Sequence, residues 1–194
     1  MLKLGITGGI GSGKTTVCRL FELLGIPVYY ADEESKKLLD EDKEVKKQVV
    51  GIFGDSILND AGFIDRKKLA GIVFNNKEQL EKLNSILHPA VGLHFENWLK
   101  KQKSPYILKE AAILFESGAF KQVDKVLTVV APLELKIQRT MKRDGVSKEE
   151  VETRIKLQMS DEDKIKRSDF VINNNEQELL ISQVLAIHKQ LINK

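Results

Sequence analysis

The chain has one cysteine, Cys18, among its 194 residues, so it cannot form an internal disulfide, and a reducing compartment is expected. No run of about 18 apolar residues occurs, which excludes a membrane-spanning helix of ordinary length. An excess of charge of one sign is nearly lacking too: 31 Lys and Arg oppose 28 Asp and Glu. An excess of 3 gives no strong basic field for nucleic acid or a membrane, and the lysines read as a solvated surface. Met1 to Gly5 lead directly into a strand and a glycine-rich loop. That leaves no room for a signal peptide, and a cytosolic location is expected. There is no internal repeat and no low-complexity linker.

What is present is the composition of an ordinary globular protein, 42% hydrophobic and 30% charged. The length suits one α/β domain with a helical insertion. Leu2 to Thr7 reads as a short buried strand, and Lys14 to Leu24 as a helix with apolar Val17, Leu20, Phe21 and Leu24, ended by Gly25. Pro27 to Tyr30 is a second strand, with Asp32 just past its carboxyl end.

From Glu33 to Lys103 the pattern is helical. Val45, Val49, Ile52 and Phe53 mark one helix, and Leu69, Ile72 and Val73 a second. Leu80, Leu83 and Leu87 mark a third, and Val91, Phe95, Trp98 and Leu99 a fourth, with His88-Pro89 as the boundary between them. Asn59 to Gly62 is a turn. The alternation of strand and helix resumes with strands at Tyr106–Glu110, Lys125–Val130 and Phe170–Ile172. Helices are expected at Leu133–Arg143, Lys148–Met159 and Glu176–Asn193. Strands joined by helices predict a doubly wound, five-stranded parallel sheet covered on both faces. The expected division is a nucleotide core at 1–32 and 104–194, a substrate-binding insertion at 33–103, and a helical lid at about 133–160.

Gly8-Gly9-Ile10-Gly11-Ser12-Gly13-Lys14-Thr15 matches the phosphate-binding pattern G-x-x-x-x-G-K-[ST] in full. Glycines keep side chains out of the way of a phosphate, and successive backbone N–H groups converge on it at the positive end of the next helix. Lys14 would reach the β- and γ-phosphates, and the Thr15 hydroxyl would ligate Mg²⁺. A GTPase would need N-K-x-D, and the nearest run, Asn76-Lys77-Glu78-Gln79, lacks the aspartate. A small-molecule kinase remains, with a lid that excludes water.

Position gives Asp32 two readings: a base facing the ligand crevice, or a cap for a helix starting near Glu33. Arg139 and Arg143 share a helix face, and they either clamp a phosphoryl group or pair with surface acids such as Asp144, Glu149 and Glu150. Arg66 either binds an anionic part of a substrate or braces helices. Trp98, at helical spacing from Phe95, reads as core.

With these residues assembled, nearly the whole chain resembles the dephospho-coenzyme A kinase family. The resemblance rests on Gly5 to Thr16, on Gly25-Ile26-Pro27-Val28 through Ala31-Asp32, and on Ile64-Asp65-Arg66 with Leu69. It continues through Ile72-Val73-Phe74, His88-Pro89, Ile113 to Gly118, Arg139, Arg143 to Ser147, Arg154, Gln158 and Asp169 to Asn173. It implies transfer from ATP, with Mg²⁺, to the ribose 3′-hydroxyl of dephospho-coenzyme A. It also implies that Asp32 is the catalytic base, with Lys14 and Arg139 in the catalytic set. Gly9, Gly11, Ser12, Gly13, Lys14, Thr15, Thr16, Arg139 and Arg143 would hold the nucleotide. Thr7, Asp32, Arg66, His88 and Glu110 would lie on the acceptor's side. The chain departs from the family at Tyr30-Ala31-Asp32, where D-A-D is frequent, and at Glu110-Ala111-Ala112, where D-x-P is usual.

Overall fold

The computed structural model describes residues 1–73 and 76–193; Phe74, quoted above, lies outside them. By internal packing the chain forms two units, one of residues 1–30 with 102–194 and one of residues 31–101.

The first unit opens with β1 (Leu2–Thr7), α1 (Lys14–Leu23) and β2 (Val28–Tyr30). The second unit then contributes α2 (Ala31–Glu41), α3 (Lys43–Phe53), α4 (Arg66–Val73) and α5 (Lys77–Leu99). The chain returns to the first unit with β3 (Tyr106–Glu110), β4 (Lys125–Val130) and α6 (Leu133–Asp144). It ends with α7 (Lys148–Lys156), α8 (Asp161–Lys166), β5 (Phe170–Asn173) and α9 (Leu180–Ile192).

All five strands run parallel, in the order β2-β3-β1-β4-β5. Leu4, Ile6, Leu108, Leu127, Val129 and Ile172 form one core with Val17 and Phe21 of α1 and Val184, Ile187 and Leu191 of α9. β3 is buried along its whole length, Lys109 and Glu110 included, as a central parallel strand covered on both faces must be. The register sets Ile6 and Tyr30 on either side of Glu110. The expected doubly wound parallel sheet is therefore present.

The second unit packs around Leu39, Val45, Val49, Ile57, Ile64, Leu69, Leu83, Ile86 and Leu87. Its sequence-based boundaries need one clear correction. His88-Pro89 ends no helix: α5 runs unbroken through Pro89. Proline removes one backbone N–H and so leaves the Ser85 carbonyl without its intrahelical donor. The buried stripe of Leu83, Ile86 and Leu87 before Pro89 and Phe95 after it keeps both halves in one packed helix. The unit also holds α2, which starts at Ala31 and not near Glu33.

Elsewhere β3 and β4 have the expected bounds, while the charged run after Gly145 splits into two helices. Ser147 and Glu150 cap α7 reciprocally, and the Ser160 hydroxyl accepts the Asp163 N–H to start α8. The last helix begins at Leu180, because the Asn175 side chain accepts from the Gln177 and Glu178 N–H groups and holds a turn there. Among the described residues, no helix is long and apolar enough to cross a membrane.

Candidate active site

β1 ends at Thr7, whose hydroxyl donates to the Ala112 carbonyl at 3.2 Å, and the glycine-rich loop follows. Gly11 (φ 75°) and Gly13 (φ 93°) take left-handed conformations that a side chain would strain. Space forbids one as well. A methyl group on Gly11 would come within 2.3 Å of the Lys136 carbonyl oxygen, and one on Gly13 within 2.1 Å of Asn174 Nδ2. Gly13 caps α1 without a side-chain hydrogen bond, so the helix presents backbone amides at its positive end. Lys14 folds over the loop, its Nζ donating to the Gly8 carbonyl at 2.8 Å. The Ser12 hydroxyl is fully buried and has no hydrogen-bond partner among the described residues. An orphaned hydroxyl within a ring of glycines and helix-end amides fits a bound phosphate, which supplies acceptor oxygens. Thr15 and Thr16 lie exposed in the first turn of α1.

Arg139, on α6, donates to the Asn174 carbonyl at 3.3 Å and to Glu176 at 2.9 Å. Asn174 in turn donates from Nδ2 to the Ser12 carbonyl at 2.8 Å. The sequence brought Arg139 to attention but not Asn174, which links it to the loop. Its position just beyond the carboxyl end of β5 was the available signal. Arg143 stands apart from this chain of bonds. It makes a two-point pair with Asp144 (2.7 and 3.0 Å), and Arg154 joins the same carboxylate at 3.1 Å. The Arg143 hydrogen bonds, and the charges of both arginines, hold the Asp144 pKa below the usual carboxylate range. This is the surface pairing that the spacing left open.

Glu110 is buried at the end of β3. Its charge adds to the effect of burial, which is the larger cause, in pushing up both the Cys18 thiol and the Tyr30 phenol. Lys136 and Asp161 form a largely buried ion pair of 2.7 Å beside Gly9, which sequence reasoning did not identify. Nor did it identify Lys164, wholly buried with its Nζ 3.4 Å from Glu116.

In the second unit, Asp32 occupies the first turn of α2, two residues beyond β2. A helix that starts at Ala31 places Asp32 inside its first turn, not at the cap position expected for a start near Glu33. Arg66 pairs with Asp40 and donates to the Lys36 carbonyl at 3.2 Å, bracing α4 against α2. His88 lies in the interior of α5, where desolvation lowers its pKa and favours the neutral ring. Phe95 is buried and stacks on Trp98 with ring centroids 6.2 Å apart, but the tryptophan itself is only half-buried, at the edge of the core rather than within it.

A parallel sheet of this order with a complete phosphate loop after β1 describes a P-loop kinase. The family model for dephospho-CoA kinase matches residues 2–179. The chain belongs to the dephospho-CoA kinase family. It is accordingly an enzyme, a phosphotransferase with an alcohol acceptor. A dephospho-CoA kinase of Bacteroides fragilis is 41% identical over 187 residues, covering 96% of this chain and 91% of that protein. The dephospho-CoA kinase structure from Campylobacter jejuni is 30% identical with a TM-score of 0.70, covering 97% of this chain and 96% of that one. A Thermus thermophilus structure is 33% identical with a TM-score of 0.87, covering 98% and 97%.

Proposed function

We propose that the chain transfers the γ-phosphoryl group of Mg·ATP to the ribose 3′-hydroxyl of dephospho-CoA, with Asp32 engaging that hydroxyl. As a member of its family, the chain phosphorylates dephospho-CoA to CoA with ATP. The observation that carries the nucleotide half is the phosphate loop, with its positive-φ glycines, orphaned Ser12 hydroxyl and helix-end amides. These groups bind and orient the triphosphate. Lys14 exchanges the Gly8 carbonyl for phosphate oxygens and stabilises charge as the phosphoryl group moves.

The Thr15 hydroxyl, exposed at the start of α1, suits a hard cation and would hold Mg²⁺. Bound there, the ion would neutralise charge on the β- and γ-phosphates. Arg139 is kept close to the loop by Asn174 and supplies a second cation. Arg143 reaches phosphate only by leaving Asp144. On the acceptor side, Asp32 would take the hydroxyl proton or orient that oxygen for in-line attack. Thr7, Glu110, Arg66 and His88 belong to the acceptor's surroundings in this reading. Arg66 already neutralises Asp40, so its task there is to hold α2 in place.

ADP release and product formation, measured with dephospho-CoA, nucleoside monophosphates and sugars side by side, test the assignment. Acceptor-dependent ADP with dephospho-CoA alone, together with CoA, is expected. Equal ADP with every acceptor or with none would overturn it.

A further inference from the structure

Gln158 lies in the four-residue link between α7 and α8, and its side-chain oxygen accepts the Ile10 N–H of the phosphate loop at 2.9 Å. The residues after it are tied down as well. The Met159 N–H donates to Glu116 Oε1 at 2.9 Å, Asp161 pairs with Lys136 at 2.7 Å, and buried Lys164 lies 3.4 Å from Glu116. The stretch 158–164 is thus fixed to the phosphate loop, to the segment after β3 and to the first turn of α6. Within α7 itself, the Arg154 side chain bonds to Asp144, across the turn that follows α6. Gln158 is therefore the point where the α7–α8 link meets the phosphate loop.

The acceptor at this point is a neutral carboxamide. A loop built to receive a triphosphate concentrates amides, and a carboxylate on one of them would repel the ligand. A carboxamide oxygen satisfies the N–H without adding charge. The loop needs such a restraint, because Gly8, Gly9, Gly11 and Gly13 give its backbone unusual freedom. Electrostatic stabilisation of phosphoryl transfer requires that the donors stand in place before the charge moves.

We propose that Gln158 is a positioning residue for phosphoryl transfer, its carboxamide oxygen holding the tip of the phosphate loop and fixing the start of α8 against it. The role rests on the kinase reading above and acts through Ile10. Loss of the bond loosens both the loop and the α7–α8 link held against it, so transfer slows and water gains access to the bound triphosphate.

The test compares Gln158→Met, which keeps length but loses the acceptor, with Gln158→Glu, which keeps the acceptor but adds charge. CoA formation and ADP release are measured in parallel with ATP and dephospho-CoA. Gln158→Met is expected to lower kcat about tenfold, the scale of one well-placed hydrogen bond, and to release more ADP than CoA. Gln158→Glu is expected to restore one ADP per CoA while raising the KM for ATP. A Met variant with wild-type kcat and ADP-to-CoA ratio would overturn the proposal. So would a Glu variant with an uncoupled ratio, which decides the matter alone should the Met variant not fold. Wild-type protein that makes no CoA would instead refute the underlying kinase reading.

Discussion

Asn174 donates its carboxamide N–H to the Ser12 carbonyl at 2.8 Å, so the residue that follows β5 holds the middle of the phosphate loop. Its own carbonyl receives Arg139 at 3.3 Å, and its N–H bonds to the Val130 carbonyl at 2.8 Å. A single buried residue thereby joins the loop through its side chain and the arginine of α6 and the end of β4 through its backbone.

Asn174→Ala would leave the Ser12 carbonyl without this donor in a buried setting. A loss of about 1–3 kcal/mol in stability is expected, the usual penalty for an unsatisfied buried polar group. Because the same bond shapes the nucleotide cradle, the KM for ATP should rise as well. Denaturant unfolding together with steady-state kinetics checks both; a stability loss with unchanged kinetics would confine Asn174 to folding.

Lys164 and Glu116 form a one-sided pair, with the lysine fully buried and the glutamate also bound to the Met159 N–H. Glu116→Ala should destabilise the protein by about 3–5 kcal/mol, because it strands a buried charge. Lys164→Met should be neutral or stabilising, since it removes the desolvated charge while Glu116 keeps Met159. Thermal unfolding of both variants and of the double variant gives the coupling. Equal losses from the two single changes would contradict this asymmetry.

Burial, reinforced by Glu110 and Glu22, pushes the Cys18 pKa far above that of an ordinary thiol. Burial opposes the anion, so the reactive thiolate is withheld in the folded state. Between pH 7 and about 9, alkylation of native protein should stay slow and follow unfolding, whereas the denatured chain should react faster as pH rises. Mass spectrometry of iodoacetamide-treated protein reads this directly. A native rate that climbs tenfold per pH unit would show an accessible thiol.

The legible parts of the molecule were those encoded locally. The apolar runs of β3 and β4 stand out because central parallel strands are buried on both faces, and the loop from Gly8 to Thr15 is one contiguous phosphate-binding sequence. The division of α5 at Pro89 failed because packing on both sides of the proline outweighs one lost hydrogen bond. Asn174, Gln158 and the Lys136–Asp161 pair owe their positions to contacts across 162, 148 and 25 residues, which no local pattern records. Arg139 and Arg143 share a helix face, yet the structure parts them, because Asp144 is within reach of one and Asn174 of the other.

The central claim is that Asp32 engages the acceptor hydroxyl, and Asp32→Asn tests it most directly. Asparagine keeps the size of the side chain, and in the first turn of α2 it gives up a favourable helix-dipole contact of about 0.3–1 kcal/mol. ATP affinity and the rate of dephospho-CoA phosphorylation, measured on the same preparation, separate binding from transfer. The account predicts unchanged ATP affinity with a rate lowered by about a hundredfold or more, the scale of losing a general base. A variant that binds ATP and turns over dephospho-CoA at the wild-type rate would contradict it.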